Sequence, residues 1–249
     1  MAAVRRRALP HLHNFRDLGG YETKDGAMII WGKLFRSDCP EALEEEEWNA
    51  FHALNIRNLI DLRSTYETKE NPVQAPENIA YHHCPFLKED SSITDPEEAA
   101  RMFLDSLSLD YAVMLQNALD ETAQILLQVT DFLEEGGVDF FCTAGKDRTG
   151  ILAAAIFYLC GVADEEIIAD YSVTEIYNAK VIQTRIDALP EAMKAEIPPG
   201  KMDLATASKA ETMESLLNWM HANHFSELMK ERGFGEEQAD RLRASLLRR

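Results

Sequence analysis

A nucleophile and the means to hold an anion sit side by side in Cys142-Thr143-Ala144-Gly145-Lys146-Asp147-Arg148-Thr149-Gly150. A cysteine attacks as its thiolate, a form that positive surroundings stabilise. Arg148 brings a planar fork that matches two phosphate oxygens at once. Around this stretch, Val138-Asp139-Phe140-Phe141 reads as a short strand and the apolar run Ile151 to Cys160 as a helix, giving strand, tight loop, helix. Thr149 and Gly150 are expected to open that helix. Its first N–H groups and the positive end of its dipole then converge on one spot. Such a nest binds a phosphate-sized dianion. Cys142 as nucleophile, Arg148 as clamp and Thr143, Ala144, Gly145, Lys146, Thr149 and Gly150 as cradle together imply phosphoryl chemistry. The glycines and lysine are misplaced for a Walker A loop, so nucleotide binding is not indicated.

The elements that must position this loop follow from pattern and punctuation. His11 to Tyr21 reads as an extended segment closing in a Gly19-Gly20 turn, with Arg16 and Asp17 expected to pair and fix that turn. Asp25-Gly26 marks a hairpin before Ala27-Trp31, and Leu34-Ser37 continues as strand. Pro40 to Leu54 reads as a helix, its acidic run Glu44 to Glu47 a solvated face near the N-terminus. Arg57 to Leu62 is a candidate core strand. It places Asp61 and Arg63 at the carboxyl end, where sites form in open α/β sheets. For Asp61 a structural ion pair and a site-supporting carboxylate stand level. Ile79 to Cys84 is a further strand, whose neighbours His82 and His83 point to opposite faces.

Residues 85–109 are polar, contain Pro96 and a short helical run Glu97 to Leu107, and have the size of a lid or binding loop. Asp110 to Glu134 reads as one long amphipathic helix, ended by Gly136-Gly137. Beyond the loop helix, Asp164 is expected to cap a helix that runs, with a break near Thr174, to Leu189. Helices are expected again over Glu211 to Asn223 and Glu236 to Leu247. The order supports one α/β domain over 1–249, with a solvated tail at 1–11 and a helical C-terminal cap at 190–249.

Composition bounds the partners. The chain has 249 residues, 46% hydrophobic and 27% charged, ordinary values for a globular protein. A formal net charge of -18 argues against nucleic acid and anionic membrane. No run is long enough to span a bilayer, and no apolar segment follows the arginines of Met1 to Arg7, so no secretory signal is read there. Cys39, Cys84, Cys142 and Cys160 show neither disulfide nor metal spacing, so no metal or cofactor is expected. A thiolate nucleophile suits a reducing, cytoplasmic setting. Nothing in the sequence sets an oligomeric state.

The loop resembles the phosphate loop of the cysteine-dependent protein tyrosine phosphatases, whose signature is Cys-x5-Arg-Thr/Ser. The fuller Cys-Thr-Ala-Gly-Lys-Asp-Arg-Thr-Gly is similar to the atypical branch that includes mycobacterial and Listeria secreted phosphatases. Asn14-Phe15-Arg16-Asp17-Leu18-Gly19-Gly20, Leu34-Phe35-Arg36-Ser37 and Asp61-Leu62-Arg63-Ser64 with Glu67 agree as well. The resemblance implies a three-layer fold with a mostly parallel central sheet and hydrolysis of phosphotyrosine, with phosphoserine or phosphothreonine as further substrates. Lys146 resembles the loop lysine of lipid phosphatases and adds phosphoinositides as an alternative. A phospho-binding pseudoenzyme would typically lack the cysteine or the arginine.

The same resemblance makes Asp147 the general acid, with Asp110 the runner-up and Asp90 and Asp95 behind it. It places Arg16 near the loop in a supporting role and the Thr149 hydroxyl against the sulfur. One departure is that most relatives carry histidine just before the cysteine, where this chain has Phe141. The helix terminus and Arg148 remain, and activity is expected to survive.

Overall fold

The computed structural model describes residues 5–87, 110–188, 191 and 207–248. The strands are β1 (Arg16–Asp17), β2 (Met28–Ile29), β3 (Leu34–Ser37), β4 (Ile56–Asp61), β5 (Ala80–His83), β6 (Gly137–Phe141) and β7 (Leu247–Arg248). Five of them form the central sheet in the order β1-β3-β6-β4-β5. Pairing is parallel between β3 and β6, β6 and β4, and β4 and β5, and antiparallel only at the β1 edge. β2 and β7 make a separate antiparallel pair.

β6 is buried along its whole length, as a central parallel strand must be. Its side chains alternate. Val138, Phe140 and Cys142 enter the large core, while Phe141 joins Phe15, Phe35, Phe51 and Leu59 in a smaller core on the other face. Helix α1 (Glu45–Ala53) covers that smaller face through Phe51. α2 (Thr65–Glu70) follows β4 through the Ser64 capping box.

The larger face is covered by α3 (Tyr111–Asn117), α4 (Leu119–Glu135), α5 (Asp147–Cys160) and α6 (Asp164–Ser172), and α7 (Thr174–Ala188) packs on α6. α8 (Ala210–Ala222), α9 (Phe225–Lys230) and α10 (Glu236–Leu246) close the far side. Helix α5 is apolar all round and nearly all buried. Large side chains contribute roughly 1.5–3 kcal/mol each on burial. Ile151, Leu152, Ile156 and Phe157 therefore clamp α5, and the loop at its N-terminus, to the sheet. No helix among the described residues is long and apolar enough to cross a membrane.

Several expectations need correction. The single helix read over Asp110 to Glu134 is two helices, broken at Ala118, whose φ of -122° lies outside the helix region. Tertiary packing explains the break: α3 turns onto α8, whereas α4 lies along β6 and α10. Helix α1 starts at Glu45 rather than near Pro40, because Glu44 and Glu47 form a capping box there. Glu47 is no solvated residue. It is only 5% exposed and accepts from the Glu44 and His11 backbone N–H groups.

The basic N-terminal run is not a solvated tail over its described part. The Arg7 N–H donates to the Phe15 carbonyl and the Asp17 N–H to the Arg5 carbonyl, so the arm extends the sheet beyond β1. Arg5 also lies over the Tyr21 ring at 3.7 Å and donates to the Gly19 carbonyl at 2.6 Å. Asp164 sits in the first turn of α6, after its N-cap Ala163, and pairs with Lys24 and His221. α5 opens at Asp147, earlier than Thr149. Residues 88–109, including Asp90 and Asp95, lie outside the described residues.

Candidate active site

The loop between β6 and α5 closes over Cys142, which is 2% exposed. Its turn depends on Gly145, at φ +62°, where a Cβ would fall 2.1 Å from the Ser37 carbonyl oxygen. Side chains from distant elements anchor the loop from behind. The Asn14 amide donates to the Gly145 carbonyl at 2.8 Å and to the Ala144 carbonyl at 3.3 Å. Arg36 on β3 donates to the Gly145 carbonyl at 2.8 Å, and Asn178 on α7 donates to the Ala144 carbonyl. The Cys39 N–H reaches the Thr143 carbonyl at 3.3 Å. A trans peptide points its N–H opposite its C=O. Carbonyls held backward therefore turn the following N–H groups of Gly145 and Lys146 away from the anchors.

Behind the anchors lies a buried ionic network. Asp170 on α6 receives Arg16 at 2.8 Å, Arg36 at 2.7 Å and the Tyr21 hydroxyl at 3.0 Å. Arg16 also reaches Asn14 and the Thr174 hydroxyl. Burial would raise the Asp170 pKa, but Arg16 and Arg36 outweigh it and hold the carboxyl well below the usual range. Burial and the neighbouring Arg16 push Arg36 down to about 10, against the pull of Asp170. The Arg16–Asp17 pair expected from sequence does not form. Arg16 serves Asp170 and Asn14, while Asp17 accepts from the Gly19 and Gly32 N–H groups. Arg16 thus reaches the loop indirectly, through Asn14 and through Asp170 and Arg36.

At the mouth, Arg148 pairs end-on with Glu67, Nη1 to Oε2 at 2.6 Å and Nη2 to Oε1 at 2.8 Å. Thr143 donates its hydroxyl to the same carboxylate, and the Ser64 N–H to its other oxygen at 2.9 Å. Burial works to raise the Glu67 pKa, but Arg148 and these donors hold it far below the ordinary range. Burial opposes the charge of Arg148, and Glu67 overcomes that, so the guanidinium stays charged. An end-on pair occupies the Nη tips and leaves the Nε side of the fork for an anion.

Asp147, first residue of α5, accepts the Tyr111 hydroxyl at 2.5 Å and lies 3.5 Å from the Lys146 ammonium. The runner-up Asp110 is exposed and caps α3, accepting the Ala112 N–H at 2.8 Å. Asp61 is bound by Arg63 at 2.6 Å and by the Tyr81 hydroxyl at 2.7 Å, an ion pair beneath the loop. Thr149 is buried and its hydroxyl has no hydrogen-bond partner among the described residues. At Gly150, an added Cβ would approach the Tyr171 ring to 3.2 Å. Among the described residues no group of three His, Cys, Asp or Glu is arranged to hold a metal.

The sequence matches the tyrosine phosphatase family over residues 7–248. The chain belongs to this family. Against the Cupriavidus necator protein named "Putative tyrosine-protein phosphatase H16_A0669" it is 28% identical over 183 residues, 72% of this chain and 66% of that one. It is 29% identical over 135 residues to the tyrosine-protein phosphatase of Nostoc commune, 54% of this chain and 46% of the relative. To the triple specificity protein phosphatase PtpB of Mycobacterium tuberculosis it is 26% identical over 239 residues, covering 85% and 83%. The matched part thus spans just under two thirds of the first relative and under half of the second.

Within this member of the family, the sequence does not show which side chains hold the loop. Glu67 stands beside Asp61-Leu62-Arg63-Ser64 in the family resemblance, but nothing in the sequence announces it as a partner for Arg148. Asp170, Asn178 and Tyr111 lie on helices with no motif around them, and their roles arise only from packing.

Proposed function

We propose that the chain hydrolyses phosphate monoesters through a cysteinyl-phosphate intermediate, with phosphotyrosine in proteins as its first substrate. The observation that carries this is the juxtaposition of Cys142 with a loop whose Thr143, Ala144 and Gly145 carbonyls are drawn backward and an Arg148 held end-on by Glu67. A phosphate dianion repels an anionic nucleophile, so its oxygens must be neutralised first. The Nε side of Arg148 and the loop N–H groups do so, and they bind the transition state more strongly than the ester.

The Cys142 thiolate attacks phosphorus, forming the S–P bond as the ester P–O bond breaks. Asp147 gives its proton to the departing oxygen. Water then attacks phosphorus and loses a proton to the Asp147 carboxylate. The S–P bond breaks to release phosphate, and the Thr149 hydroxyl donates to the leaving sulfur. Asp61, tied to Arg63, supports the strand end rather than the chemistry.

The fuller loop string and the name of the mycobacterial relative support a broader range: phosphoserine and phosphothreonine, with phosphoinositides as the alternative. Lys146 in the loop is the residue that would meet extra phosphates. The presence of both Cys142 and Arg148 speaks against a phospho-binding pseudoenzyme. A thiolate nucleophile suits a reducing compartment such as the cytoplasm, and the chain is read as one domain. A panel of phosphopeptides and phosphoinositides, run on one preparation beside Cys142→Ser, tests the reading. Phosphotyrosine peptides should be turned over and the serine variant should not. Turnover of no monoester in the panel would contradict it.

A further inference from the structure

Resting on the reading of Asp147 as the acid, we infer that Tyr111 is the positioning residue that decides which oxygen of that carboxyl carries the proton. The Tyr111 hydroxyl donates to Asp147 Oδ1 at 2.5 Å. It also lies 2.8 Å from the Tyr171 hydroxyl, and the two rings meet edge to face. A phenol has one O–H to give. With that of Tyr111 directed to Asp147, Tyr171 must donate to the Tyr111 oxygen, so the chain runs Tyr171 to Tyr111 to Asp147. Both tyrosines are buried, and burial together with the Asp147 charge pushes both phenols up, so they remain donors.

The Lys146 ammonium, 3.5 Å away, faces the same Oδ1. A carboxylic acid protonates on the oxygen that is not already accepting, which leaves Oδ2 to carry the proton. As that proton leaves for the ester oxygen, negative charge grows on Asp147 and the Tyr111 hydrogen bond becomes charge-assisted, strengthening as the reaction proceeds. The fold fixes this contact. Asp110 caps α3 and thereby sets Tyr111 at its first turn, and α3 is held against α5 and α8. The runner-up acid therefore contributes by placing the residue that orients Asp147.

The test compares kcat/KM on phenyl phosphate, a poor leaving group, and on 2,4-dinitrophenyl phosphate, which scarcely needs a proton. Tyr111→Phe should lose about tenfold or more on phenyl phosphate, the order a charge-assisted hydrogen bond contributes, and less than about twofold on the activated ester. Asp147→Asn should show a larger loss of the same selectivity, and Tyr111→Phe added to it should change nothing further. Tyr171→Phe, which keeps the packed ring, should give a smaller selective loss. Equal slowing of both esters by Tyr111→Phe, or a full additional loss on top of Asp147→Asn, would overturn the positioning role. If Asp147→Asn itself shows no selectivity, the assignment of the acid fails and this inference with it. If Asp147→Asn is selective and Tyr111→Phe is silent, only the inference fails.

Discussion

The two sides of the loop are built differently. Behind it, Arg36 is fully buried and shares Asp170 with Arg16, and its contacts end on carbonyls of the chain itself. At the mouth, Arg148 keeps 19% of its side chain exposed and Glu67 keeps 27%. Both sides use arginine and carboxylate, yet one is closed and the other open. A closed network shapes the cradle whether or not an anion is present, while an open one keeps one edge of its cation in reserve. Substitutions behind the loop should therefore be read in stability, and those at the mouth in turnover.

The sharpest separation is expected from Arg148→Lys. It keeps the charge but loses the fork, and should lower kcat/KM about a hundredfold or more, as loss of an oxyanion donor does. Its unfolding free energy should move by less than about 1 kcal/mol, the scale of a partly exposed pair. Arg36→Leu should behave the other way. It strands part of the Asp170 carboxylate and a loop carbonyl in the interior, so urea unfolding should show a loss of about 3–5 kcal/mol, the range for one broken buried ion pair. Comparable stability losses in the two variants would erase the distinction between the sides.

Glu67→Gln is a milder test of the mouth. It keeps the shape and one acceptor but not the bidentate carboxylate, and about tenfold in kcat/KM is expected with stability little changed. An unchanged kcat/KM would mean Arg148 finds its orientation without Glu67.

A weaker effect should appear in stability against pH. Asp170 and Glu67 have depressed pKa values in the fold, so their contribution is present above the unfolded value of about 4 and is lost as pH falls below it. Asp139 on β6 behaves oppositely. Burial pushes it up to about 8, with only the Ser37 hydroxyl to offset this. Its contribution is full below about 4 and lost as pH rises toward 8. Asp139→Asn should flatten the neutral limb and leave the acid limb in place. A neutral limb of the same slope in the variant would assign that dependence to another group.

How far the sequence carried depended on how local each feature was. The loop was legible because strand, cysteine, glycine, arginine and helix are contiguous, and the parallel core strands followed from their apolar runs. The anchors were not, since Asn14, Arg36, Asp170 and Asn178 come from separate elements that meet only after folding. Arg16 illustrates the difference. Its nearest acid in sequence is Asp17, but Asp17 is taken by the Gly19 and Gly32 N–H groups, and the partner comes from Asp170 on α6. The break at Ala118 carries no glycine or proline to mark it. Arg5 and Arg7 looked like solvated charge because composition cannot show that their backbone pairs with the edge strand. The expected cover at 85–109 lies almost wholly outside the described residues.

The central claim is that phosphorus passes through the Cys142 sulfur. Mixing enzyme with a phosphotyrosine peptide, quenching under denaturing conditions during turnover and mapping the digested chain by mass tests it directly. A phosphate should be found on the peptide carrying Cys142, and Cys142→Ser should not turn over yet should still bind phosphate. Steady turnover with Cys142 unmodified at every time point, or a serine variant within about tenfold of wild type, would contradict covalent catalysis by this residue.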